Sequence, residues 1–134
     1  MSPRLQVCCA WMLVALYAGG IFVLSSLSQP PSVSPWELPD LDKLYHALLF
    51  GGLMFVLMRA LCLTCPTSPS PSLACWAVVL TVVYGALDEL HQAFTPDRTM
   101  SIYDLLADAT GALVVASLWL HHRRRLQLRS REAP

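Results

Sequence analysis

The sequence predicts an all-α fold, a four-helix transmembrane bundle with both termini on the cytoplasmic side. Three observations predict it. Of the 134 residues, 55% are hydrophobic and 13% are charged. The apolar residues fall into four runs, each long enough to cross a bilayer. Most of the arginines flank the same ends of those runs. An average soluble domain carries about 25% charged residues, and a chain this short in water could not bury so much apolar surface. The formal net charge is zero, so total charge selects no partner. Residues 1–134 read as a single membrane domain.

The first run, residues 7–27, contains no charge and follows Arg4. A cleaved signal peptide also begins with a basic residue and an apolar stretch. This run exceeds the usual ~7–15 residue signal core, and no small-x-small cleavage site follows it. An uncleaved helix is therefore expected. The second run, 44–63, has His46 near its start and Arg59 near its end. The third, 73–94, carries Asp88, Glu89, His91 and Gln92 in its last third. The fourth, 102–120, has Asp104 and Asp108 in its first half.

The connectors read as loops. Residues 28–41 contain four prolines, and residues 66–72 alternate proline with small polar residues. The short connector 95–101 makes the last two helices an antiparallel hairpin. Residues 121–134 form a basic tail, expected on the cytoplasmic side. The five cysteines lie in or beside apolar runs and form no disulfide framework. Cys62 and Cys65 read as reduced apolar residues, not as a redox or metal pair.

Lysine and arginine in short flanks set orientation. One side holds Arg4, Arg59, Arg123, Arg124, Arg125, Arg129 and Arg131; the other holds Lys43 and Arg98. Both termini are therefore expected inside. The start of helix two, the end of helix three and the start of helix four then meet at the extracytoplasmic face. Glu37, Asp40, Asp42, Lys43, His46, Asp88, Glu89, His91, Gln92, Asp97, Arg98, Asp104 and Asp108 form one acidic layer there.

Depth separates these residues. At ~1.5 Å per residue, Asp88 and Asp108 both sit roughly 10 Å below their helix ends. An aspartate at a helix centre costs about 2.5–3.5 kcal/mol on the insertion scale, less near the interface. Such residues should face the bundle interior and find partners. Asp42 and His46, Asp88 and Gln92, and Asp104 and Asp108 are i,i+4 pairs, each on one helix face. Asp88 and Glu89 point about 100° apart.

Plainer readings stand beside these. Asp40 or Asp42 can cap helix two, and Ser101 with Asp104 fits a capping-box start to helix four. Asp97 and Arg98 suit a solvated turn, and His91 suits packing at the interface. Asp88, Glu89 and Asp108 lie too deep for capping. The candidate catalytic residues are Glu89, Asp88 and His46. The candidate binding layer is Asp42, Lys43, His46, Asp88, Glu89, Gln92, Arg98, Asp104 and Asp108. Carboxylates with an imidazole suit a divalent metal, with His46, Glu89, Asp104 and Asp108 as candidate ligands. The alternative is an ion-paired cage in which Lys43 and Arg98 neutralise part of the acid.

Asp42-Lys43-Leu44-Tyr45-His46 resembles the D-K-x-x-H motif of VanZ-like proteins. The stretch from Asp88 to Arg98 resembles that family's D-E-x-x-Q-x-F-x-P-x-R, and Asp104, Asp108 and Gly111 resemble its D-x-x-x-[ND]-x-x-G. The similarity runs over about residues 42–120. Position 108 is Asp where many members have Asn, and Val115 stands where a second glycine often follows Gly111. The valine argues against a close G-x-x-x-G crossing there. The resemblance implies a multi-pass protein of the bacterial cytoplasmic membrane. The namesake is linked to low-level teicoplanin resistance, and no reaction is implied.

Three functions follow as expectations. The first is a VanZ-like envelope factor acting at the outer face on a lipid-linked or cell-wall component, with an effect on glycopeptide (teicoplanin) susceptibility. The second is a metal-assisted membrane hydrolase or transferase with a lipid-linked substrate. The third is a structural or interaction subunit whose polar layer only fixes packing. Expected partners are membrane lipid, such an envelope component and further copies in an oligomer, and not nucleic acid.

Overall fold

The computed structural model describes residues 1–27, 41–68 and 70–132, all helices and short turns. Glu37 and Asp40, expected in the acidic layer and at the cap of helix two, lie outside the described residues. Four helices follow in order: α1 (Pro3–Ser25), α2 (Leu41–Thr64), α3 (Ser70–Gln92) and α4 (Ile102–Glu132). Each is long and apolar enough to cross a membrane.

Local signals explain the ends. Ser2 caps α1, its hydroxyl accepting from Leu5 N at 3.4 Å, and Pro3 occupies the first turn, where a missing N–H is harmless. Pro71 sits in the first turn of α3 for the same reason. This helix therefore starts at Ser70, inside the stretch expected to be a loop. At its far end α4 runs on to Glu132, beyond the expected boundary at 120. The apolar run stops there, but Arg, Leu and Gln are strong helix formers and carry the helix on, exposed over residues 121–130. The α3–α4 turn places Asp97 at φ 60°, a conformation aspartate tolerates better than most residues.

At the centre of the bundle lies α2. It packs most extensively on α4, and also on α1 and α3, whereas among the described residues α1 and α4 are not neighbours. The core is built on Phe50, Leu53, Met54 and Met58 of α2, with Ile21, Ala77 and Ala112 against them. Large apolar side chains also point outward on every helix, among them Leu16, Leu48, Trp76, Leu87 and Leu118. Such a surface suits lipid and not water.

The α2–α4 contact is tighter than Val115 suggested. A Cβ at Gly111 would overlap the carbonyl oxygen of Ala47. Gly51 lies opposite, where a Cβ would meet Val115 Cγ2 at 3.3 Å and Gly111 O at 3.4 Å. The close crossing thus forms after all. It uses one glycine from each helix instead of two on α4, and Val115 packs over Gly51.

Candidate functional site

At the end of the bundle where α1 and α3 finish and α2 and α4 begin, the interior turns polar. Ser25, His46, Asp88, Glu89, Gln92 and Asp108 are all buried there. They come from all four helices and form two adjoining groups.

The first group joins α1 to α3. Asp88 Oδ2 accepts from Ser25 Oγ at 2.8 Å and from Gln92 Nε2 at 2.9 Å. The i,i+4 pairing of Asp88 with Gln92 is as expected, and Ser25 is a partner that sequence reasoning missed. A serine at the end of an apolar run carries no distinguishing signal. Beside this group, His91 Nε2 lies 3.0 Å from Ser26 Oγ, and its ring packs on Phe22 with centroids 4.6 Å apart. That is the packing role expected of it.

The second group joins α2, α3 and α4. His46 Nδ1 is hydrogen-bonded to Asp108 Oδ1 at 3.0 Å. Glu89, one residue on from Asp88 and turned away from it, accepts from Ser101 N through Oε2 at 2.7 Å. One ligand atom from each of His46, Glu89 and Asp108 lies within 4.8 Å of the others. Glu89 Oε1 and Asp108 Oδ2 are buried without a hydrogen-bond partner.

This geometry revises the start of α4. Ser101 Oγ accepts from Asp104 N at 3.3 Å, as a capping box requires. The reciprocal bond to Ser101 N comes from Glu89 of α3 instead of Asp104. The Asp104 side chain is 14% exposed, and its Oδ1 is also buried without a hydrogen-bond partner, 3.9 Å from Lys43 Nζ. By distance it falls outside the set formed by His46, Glu89 and Asp108.

Gly85 makes room for the arrangement. It lies one turn before Glu89 on the same face of α3. A Cβ there would sit 2.8 Å from Asp108 Oδ2. Sequence reasoning does not single out this glycine, because close approach of another helix is invisible in one chain segment.

Other members of the expected layer stand apart. Asp42 is exposed and pairs with Lys43 at 2.9 Å, not with His46. Arg98 does not join the carboxylates. It donates from Nε to Leu27 O at 3.1 Å and from its terminal nitrogen to Leu24 O at 3.4 Å, closing the C-terminal end of α1. Asp97 is exposed in the turn. The cysteines are free thiols, with Cys62 and Cys65 at the opposite end of α2.

The sequence matches the VanZ/LLP1 family over residues 7–123. The chain belongs to the VanZ/LLP1 family. No curated protein and no solved structure matches it. The match takes in every residue of both polar groups, so the site belongs to the VanZ/LLP1 domain itself. Together with four helices of membrane-spanning length, it makes this a multi-pass VanZ/LLP1 membrane protein.

Proposed function

We propose that this VanZ/LLP1 protein is an envelope factor of the bacterial cytoplasmic membrane. It acts at the extracytoplasmic face on the polar part of a lipid-linked or cell-wall component. The observation that carries the reading is the buried polar end of the bundle. Asp88, Glu89 and Asp108 are at most 5% exposed, yet they stand in helices otherwise suited to lipid. On the insertion scale each is a burden of up to about 2.5–3.5 kcal/mol, which packing alone does not justify. The arginine-rich flanks at the other end support a cytoplasmic assignment for both termini, which turns the polar end outward.

Native mass spectrometry of the protein in nanodiscs assembled from its host membrane tests the reading. A retained lipid-linked envelope molecule, lost in Asp88→Asn, is the expected result. Expression in a susceptible host should also shift teicoplanin susceptibility. Only bulk phospholipid in the spectrum, together with unchanged susceptibility, would refute the proposal.

One observation favours a structural role for part of the layer. The Ser25–Asp88–Gln92 group spends its hydrogen bonds on tying α1 to α3. On that reading Asp88→Asn lowers the amount of folded protein. Normal folding with lost function assigns the residue to the site instead.

A further inference from the structure

We propose that His46, Glu89 and Asp108 bind one divalent first-row transition-metal ion, with Zn2+ the best fit. The proposal deepens the reading of the same polar site. Each residue comes from a different helix, and their ligand atoms lie within 4.8 Å of one another. Tetrahedral Zn2+ with bonds of ~2.0–2.2 Å holds its ligand atoms about 3.3 Å apart. Closing the site onto an ion thus takes shifts of about 1.5 Å or less, within reach of side-chain rotation.

A second observation points to a ligand. Glu89 is 2% exposed and Asp108 is 0% exposed, and each has one oxygen without a hydrogen-bond partner. Buried carboxylate oxygens normally find donors. The other oxygen of each is already held, in Glu89 by Ser101 N and in Asp108 by His46. Carboxylates anchored through one oxygen and presenting the other are arranged as metal ligands are.

Charge leads to the same ion. Among the described residues no lysine or arginine is buried. Two positive charges on a cation balance Glu89 and Asp108. The ligand set decides the class: an imidazole with two carboxylates suits Zn2+ and its neighbours, whereas Ca2+ and Mg2+ prefer oxygen alone. Three protein ligands leave a fourth position open. An oxygen of a lipid-linked substrate can be polarised there, which is the chemistry a metal-assisted hydrolase or transferase needs.

The test uses the full chain in nanodiscs, stripped with chelator and titrated with Zn2+. Cysteine and histidine side chains elsewhere in the chain can also hold Zn2+, so a background variant carries Cys8→Ser, Cys9→Ser, Cys62→Ser, Cys65→Ser, Cys75→Ser, His121→Asn and His122→Asn. The expected result is one Zn2+ per chain in wild type and background alike. His46→Ala, Glu89→Gln and Asp108→Asn should each weaken binding by about 10-fold or more. Gly85→Ala, which removes no ligand, should weaken it too. X-ray absorption on the wild type needs no variant and should show only nitrogen and oxygen neighbours. Absence of bound Zn2+, a sulfur neighbour, or binding lost in the background variant overturns the proposal. Zn2+ binding in a protein that retains only bulk phospholipid and leaves teicoplanin susceptibility unchanged keeps the metal site standing and removes the envelope role; the converse removes only the metal.

Discussion

Replacing Gly111 by alanine adds one methyl group where α2 and α4 are closest. The new Cβ would overlap the carbonyl oxygen of Ala47, and the next nearest atoms are Ala47 C and Cα at 2.8 and 2.9 Å. All three are backbone atoms of a helix, so no side chain can swing away. The helices must part or bend. Overpacking of this kind costs about 1–3 kcal/mol, and a rigid backbone neighbour puts the change at the upper end. With roughly 4 °C of melting temperature per kcal/mol, as for soluble domains near this size, the loss is about 4–12 °C. The effect reaches the site, because Ala47 follows His46 and Gly111 lies one turn from Asp108. Separation at Ala47 lengthens the 3.0 Å His46–Asp108 hydrogen bond and weakens Zn2+ binding. Thermal unfolding in detergent, read by tryptophan fluorescence, measures the first effect and Zn2+ titration the second. Gly19→Ala and Gly20→Ala are the controls, since a Cβ at either position meets nothing within 4 Å. They should be neutral or stabilising by up to about 1 kcal/mol through helix propensity. A Gly111→Ala protein as stable as the controls would refute the close crossing.

Other substitutions separate the groups within the polar end. Ser25→Ala leaves Asp88 with Gln92 as its remaining donor and should lower stability by about 1–3 kcal/mol, measured by thermal unfolding. Arg98→Ala uncaps α1 and should cost about 1 kcal/mol while Zn2+ affinity stays at the wild-type value. Asp108→Asn removes a buried charge and leaves His46 an acceptor in the amide oxygen. Metal-free protein should therefore unfold at or above the wild-type temperature even as Zn2+ binding falls.

The four spans were legible because hydropathy over some twenty residues reflects the solvent and needs no tertiary information. Helix ends were less so. Pro71 looked like a breaker but sits where a helix tolerates proline, and α4 outlasts its apolar run because arginine-rich sequence is also helical. The convergence of His46, Glu89 and Asp108 followed from three helix ends meeting on one side. Which carboxylate joins them did not, since Asp104 and Asp108 share a face and only the exact approach of α3 decides. Glu89 displacing Asp104 as the capping partner of Ser101, Arg98 folding back onto α1, and Gly85 opening space for Asp108 all depend on contacts between helices. Such contacts leave no mark in local sequence.

Membrane sidedness decides whether the polar end can meet an envelope component at all. Reporter fusions at Pro134 and within the 95–101 connector measure it directly. A cytoplasmic signal is expected from Pro134 and an extracytoplasmic signal from the connector, with His46, Glu89 and Asp108 in the outward half of the bundle. A cytoplasmic connector would contradict it, because the site would then open to the cell interior.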